Sequence, residues 1–308
     1  MPFSPDPDLH PIYGAAGACG PTAFIARFIR LSVMIVPLLA LLAGANAFAQ
    51  GPPPPPYVPS PIDSLIKAQD SIITAAGSAI AADSTRIDEY EKIIGIYKAR
   101  KRFSDELSLA DRMRHRNPGA SVAHFLYADA QLDNGAPDSA IGSLRKALII
   151  QPTFVRARVT LAEAYTMLKA YDSAMGQLDT AIAFNPRYAQ AQMQRASLLT
   201  LMGRDSEAVL NYRAASELLP DTFIPWLRLG RGLIKIANYG DAIDALKYAM
   251  SLNPDSPDAL YLYAEANAKG GDREEAVKSY ERFMLRFPTD KRALDAERAA
   301  REMGGGRP

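Results

Sequence analysis

The sequence predicts an all-α solenoid of paired helices, and three observations carry the prediction. Similar segments recur every 34 residues: AIGSLRKALIIQP (140–152), AMGQLDTAIAFNP (174–186), AVLNYRAASELLP (208–220), AIDALKYAMSLNP (242–254) and AVKSYERFMLRFP (276–288). Small residues hold two fixed slots in each unit. A proline closes each unit. With units aligned as 121–154, 155–188, 189–222, 223–256 and 257–290, slot 8 is Ala128, Ala162, Ala196, Gly230 and Ala264. Slot 20 is Ala140, Ala174, Ala208, Ala242 and Ala276. Slot 24 is bulky, as Leu144, Leu178, Tyr212, Leu246 and Tyr280, and slot 32 is Pro152, Pro186, Pro220, Pro254 and Pro288. Antiparallel helices approach closely only where side chains are small, so slots 8 and 20 face each other and slot 24 fills the space beside them. Proline cannot continue a helix interior and ends the second helix. Turns such as DNGAPDS and LMGRDSE join the first helix to the second.

The flanking segments follow in chain order. Arg27 and Arg30 precede an apolar run around Leu31–Leu42 and the small-residue stretch AFA before Gln50. Residues 1–49 therefore read as a signal peptide, an over-called start being one reading of its length, and the chain is expected to be exported to the periplasm or cell envelope. The alternative is an inner-membrane anchor over 28–49. Residues 50–61 include GPPPPPYVPSP, a polyproline II spacer reaching roughly 30 Å, with an SH3-type ligand as the other reading. Residues 62–101 are helical, with Ile66, Ile73, Ile80, Ile87 and Ile94 seven apart. That spacing fits a coiled coil. Asp83 or Ser84 can equally cap a second helix, leaving two helices packed on the repeats. Residues 87–120 form a degenerate further unit, in which Tyr90, Tyr97, Ala110 and Pro118 fall near their slots but Glu106 occupies the small slot 20. Residues 291–303 supply a capping helix, which a solenoid needs over its last apolar flank. Residues 304–308, GGGRP, are expected to be a disordered tail.

Composition limits the function. Of 308 residues 48% are hydrophobic and 22% charged, with formal net charge +1, a globular balance without the basic footprint of a nucleic-acid binder. One cysteine, Cys19, and the histidines His10, His115 and His124 cannot build a Cys/His zinc site. There is no H-E-x-x-H and no Walker A stretch. GRGLIK at 230–235 lies inside a helical segment, and His115 and His124 have no acid or cysteine partner in a clear arrangement. No catalytic residue, metal or cofactor is expected.

The 34-residue period and this residue set resemble the tetratricopeptide repeat (TPR) family over 170 consecutive residues. The tryptophan usual at slot 4 appears only as Trp226, and slot 11 varies from Tyr165 to Gln131 and Asn267. The resemblance implies a right-handed superhelix with the first helix of each unit lining a concave groove through slots 2, 5, 9, 12 and 13. Slot 5 is Phe125, Val159, Met193, Leu227 and Tyr261, and slot 9 is Asp129, Glu163, Ser197, Arg231 and Glu265. Slots 12 and 13 add Leu132, Met167, Leu201, Ile234, Lys235 and Lys269. Such a groove holds peptide segments of partner proteins through apolar anchors, with charges setting direction. The carboxylate-clamping TPR type, with Lys and Asn at slots 5 and 9, is not expected here, because Asp129 and Glu163 would repel a carboxylate. The expected function is a non-catalytic interaction scaffold. The alternative is a homo-oligomer assembled through 62–101, and membrane contact is expected only through an uncleaved N-terminal segment.

Overall fold

The computed structural model describes residues 61–83 and 85–304, with side chains from Ser64 onward. The segments read from sequence as a signal peptide and, up to residue 60, as a proline-rich spacer lie outside the described residues, as does the tail beyond Gly304. The chain divides into two units between Ser71 and Ile72, inside helix α1 (Pro61–Ala82). Of the first unit the described residues are helical, with Leu65 and Ile66 exposed.

The second unit is a solenoid of six hairpins. They pair α2 (Ile87–Ala99) with α3 (Phe103–Arg116), α4 (Ser121–Asp133) with α5 (Pro137–Ile150), and α6 (Val155–Met167) with α7 (Tyr171–Phe184). Then come α8 (Ala189–Leu201) with α9 (Asp205–Leu218), α10 (Phe223–Lys235) with α11 (Tyr239–Leu252), and α12 (Pro257–Gly270) with α13 (Arg273–Arg286). Helix α14 (Ala293–Glu302) follows. Every hairpin starts 34 residues after the previous one. No strand occurs among the described residues.

The slots explain the packing. Residues at slots 8 and 20 in 121–290 are all buried, the alanines at 0–1% exposure. Leu144, Leu178 and Leu246 beside them are at 0–1%, and Tyr212 and Tyr280 at 4%. Between hairpins the residue before each proline is driven off the helical region, as at Gln151 (φ −134°, ψ 89°) and Asn185 (φ −143°, ψ 90°).

Inside the hairpins one turn recurs. In α4, the Ala136 N–H donates to Gln131 O (2.9 Å) and the Gly135 N–H to Leu132 O (2.8 Å), a Schellman closure that needs a left-handed residue between them. Slot 15 takes that conformation in all six hairpins: Lys101 (φ 56°), Gly135 (72°), Lys169 (59°), Gly203 (73°), Ala237 (59°) and Gly271 (94°). Only three of these are glycine.

Residues 62–101 do not form one helix. Asp83 Oδ1 accepts from the Thr85 N–H (2.9 Å) and hydroxyl (2.6 Å), and α2 begins afresh at Ile87. Ile73, Ile80 and Ile87 pack on the first core cluster and Ile94 lies in it, so these isoleucines seal the leading end of the solenoid. At the other end Ala296 and Ala300 of α14 bury against Leu260, Ala264, Tyr280 and Phe283. Arg292 holds this cap, reaching Asp258 (2.6 Å) and Asp290 (2.8 Å) and lying 5.1 Å from the Tyr261 ring centre.

Candidate functional site

The first helices of the hairpins carry the predicted groove, and the structure sorts its residues by burial. Phe125, Val159 and Met193 are 3% exposed and Leu227 is 6%. These slot 5 side chains pack rather than line open space. Phe125 is covered at the junction with the next unit, its ring lying 5.2 Å from that of Phe154, with the Arg156 guanidinium 4.8 Å away. Tyr261, in the last hairpin, is half-buried and rests on Tyr280 and Phe283 at 5.7 and 5.3 Å. Leu132 and Ile234 are also buried.

Slots 2, 9 and 13 face outward. Met167 (49% exposed), Leu201 (37%) and Ile224 (40%) are open apolar side chains on α6, α8 and α10. Asp129, Glu163, Ser197, Arg231 and Glu265 are partly buried. Their charges are compensated within the chain. Lys98 Nζ lies 2.6 Å from Asp129, Lys235 lies 3.6 Å from Asp205, and Lys269 lies 2.6 Å from Glu265. Glu163 accepts from Gln194 at 3.5 Å. The acids Asp129 and Glu163 of the first two units and the cations Lys235 and Lys269 of the last two are therefore partnered locally.

The leading hairpin holds a cluster that sequence reasoning half found. Glu106 on α3, the misfit at slot 20, has no exposed surface. One oxygen from each of Glu106, Asp129 and Asp133 lies within 4.8 Å of the others. Lys98 on α2 sits 2.6 Å from Asp129 Oδ2 and 2.8 Å from Asp133 Oδ2. Neither Glu106 oxygen has a hydrogen-bond partner. Burial first, then the Asp133 charge, pushes the Glu106 carboxyl up to about 8 against the pull of Lys98. Burial likewise raises Asp133. Burial works against the Lys98 ammonium, yet Asp129 and Asp133 outweigh it and hold it above its ordinary range. Lys98 and Asp133 were not singled out from sequence. The available signal was an acid at slot 20 one repeat ahead of a second acid pair.

His115 and His124 each bond a nearby backbone carbonyl. His124 is buried, with Nε2 2.9 Å from Pro118 O, and the exposed His115 has Nδ1 2.8 Å from Asp111 O. A cleft of about 710 Å³ is lined by Ile80, Ala81, Tyr90, Arg112, His115 and Arg116. It contains no paired nucleophile and base.

An all-helical solenoid with an open first-helix face and buried small-residue contacts defines a helical-repeat protein. Family models described as tetratricopeptide repeat match residues 131–198 and 233–299, and 99–153. Together they cover more than half of the chain, which belongs to the tetratricopeptide repeat family. Among solved structures it is similar to YrrB, described as a TPR protein with an unusual peptide-binding site (16% identity, TM-score 0.54, 61% of this chain and 97% of that one). It is also similar to PilF of Pseudomonas aeruginosa (15%, 0.57, 76% and 99%) and to the APC/C Cut9–Hcn1 hetero-tetramer (15%, 0.60, 75% and 46%). At these identities the likeness is one of fold. No curated protein sequence matches the chain. The fold is typical of protein–protein interaction scaffolds, which are generally non-catalytic.

Proposed function

We propose that the protein is a non-catalytic scaffold of the periplasm or cell envelope that binds peptide segments of partner proteins along the first-helix face of its solenoid. The pattern of exposure on that face carries the reading. Slot 5 is consumed by packing, yet the same helices keep Met167, Leu201 and Ile224 open, flanked by partly buried Asp129, Glu163, Arg231 and Glu265. Open aliphatic anchors beside ordered charges suit an extended or helical segment, the apolar contacts giving affinity and the charges direction. YrrB, similar in fold, is described as having an unusual peptide-binding site, which supports a peptide as the ligand class. Export rests on Arg27, Arg30 and the apolar run that follows them. Among the described residues no helix is long and apolar enough to cross a membrane.

The test is capture of cross-linked partners from an envelope fraction with wild type and with a Met167→Glu, Leu201→Glu double variant. Both positions are exposed, so circular dichroism should show an unchanged helical fold. Affinity for any captured partner should fall about tenfold or more, the cost of losing one central anchor. Equal recovery by both baits removes the assignment to this face. A second reading, self-association through α1, is favoured by Leu65 and Ile66 at 46% and 44% exposure. Light scattering of the full chain against a Leu65→Lys, Ile66→Lys variant decides it, a monomer in both cases removing that reading.

A further inference from the structure

Slot 20 is alanine in the five aligned units and Glu106 in the leading one. Its side chain is wholly buried, neither oxygen meets a donor, and it is aimed at the Asp129–Asp133 pair. We propose that Glu106, Asp129 and Asp133 form a binding site for a hard divalent cation of the calcium or magnesium class, clamping α3 to α4 at the start of the solenoid.

Charge and valence both favour a cation over a proton. Three ionised carboxylates carry three negative charges in a mostly buried site, of which the Lys98 ammonium cancels one and a divalent cation in its place would cancel two. One proton cancels one. A proton also satisfies only one Glu106 oxygen and leaves the other an unpaired acceptor, whereas a cation lying across the carboxylate engages both. The donor set is oxygen alone, which selects calcium, magnesium or manganese over zinc or copper. Asp129 and Asp133 keep 14% and 10% of their side-chain surface exposed, so water can enter from that side to complete the shell. Lys98 is the competing cation. Its ammonium already bridges the two aspartates, and with 24% of its side chain exposed on a flexible stem it can withdraw as the metal enters. Glu106 occupies the slot that alanine fills in the other hairpins, so a buried carboxylate stands here where those hairpins bury a methyl group.

The experiment is calorimetric titration of the full chain, stripped with EDTA, with CaCl2 and separately MgCl2, alongside thermal unfolding in each salt. One equivalent of saturable binding is expected from at least one salt, with an unfolding temperature that climbs with its concentration. Glu106→Gln should weaken that affinity about tenfold or more. Glu106→Ala, which installs the residue the other units use, should abolish it while the far-ultraviolet dichroism stays helical. Lys98→Met should tighten it. Absence of saturable heat and of a thermal shift up to about 10 mM in both salts overturns the proposal, that range exceeding the weakest calcium modules. Binding left unchanged by Glu106→Ala overturns it as well.

Discussion

Replacing Gly230 with alanine should destabilise hairpin α10–α11, although four of the five aligned hairpins carry alanine at the same slot. An alanine Cβ at 230 would lie 2.5 Å from Leu246 Cγ and 2.8 Å from its Cδ2. Leu246 is fully buried, so neither atom can swing away. The substitution gains about 1 kcal/mol of helix propensity. Forcing a methyl into a filled core costs about 1–3 kcal/mol. The balance is a loss of roughly 1 kcal/mol. Gly142 and Gly176 are internal controls, since both sit exposed in helices α5 and α7 with nothing within 4 Å of an added Cβ. There the same substitution should stabilise by about 0.5–1 kcal/mol. Urea unfolding by circular dichroism gives the sign. Hydrogen exchange on α10 and α11 locates it, because repeats open semi-independently. In a double-mutant cycle with Leu246→Ala the Gly230→Ala penalty should vanish, a coupling of about 1 kcal/mol or more. A penalty that survives in that background, or a Gly230→Ala protein as stabilised as Gly142→Ala, refutes the close-contact reasoning.

Two further outcomes follow from single residues. Ala237 is held at φ 59°, so Ala237→Gly should raise the urea midpoint by the equivalent of about 1 kcal/mol, and Gly203→Ala should lower it. Hydrogen bonding from Arg292 holds the Asp290 carboxyl down at about 2, against 3.8 ordinarily. A folded-state value below the unfolded one means this stabilisation is complete above pH 3.8 and is lost as pH falls through 2. Exchange protection of α14 should accordingly drop by roughly 2 kcal/mol between pH 5 and 2, a step absent from Asp290→Asn.

What the sequence made legible is what a local rule controls. Slots 8, 20 and 24 announce themselves because close helix approach admits only one size at each, and the cap because KRALDAERAAREM is a helical segment with a charged outer face after the last unit. The turn slot was hidden. Hydrogen-bond closure demands a left-handed residue at Lys101, Lys169 and Ala237 as much as at the three glycines, and the strain is borne without a glycine to mark it. The isoleucine heptad read equally as a coiled coil or as packing. In the structure Asp83 bonds Thr85 where α1 ends, and Ile73, Ile80, Ile87 and Ile94 pack on the first core cluster. The Glu106 cluster was half legible, because its four members come from three helices and only Glu106 breaks a pattern.

The groove shows where slot assignments run out of force. A slot number gives the direction a side chain leaves its helix but not what stands there. Phe125 leaves α4 in the expected direction and meets Phe154 and Arg156 at the entrance to the next unit, so the stacking that builds the solenoid takes the apolar row for its own core. The charged rows meet a similar fate in milder form, since Lys98, Lys235 and Lys269 already hold carboxylates. A partner's charges must then displace intramolecular ions of similar strength, which leaves little net gain per pair. If the proposed peptide binding holds, selectivity along this face falls to the side chains stacking does not consume: Met167, Leu201 and Ile224, on three successive first helices, whose spacing a bound segment would have to match.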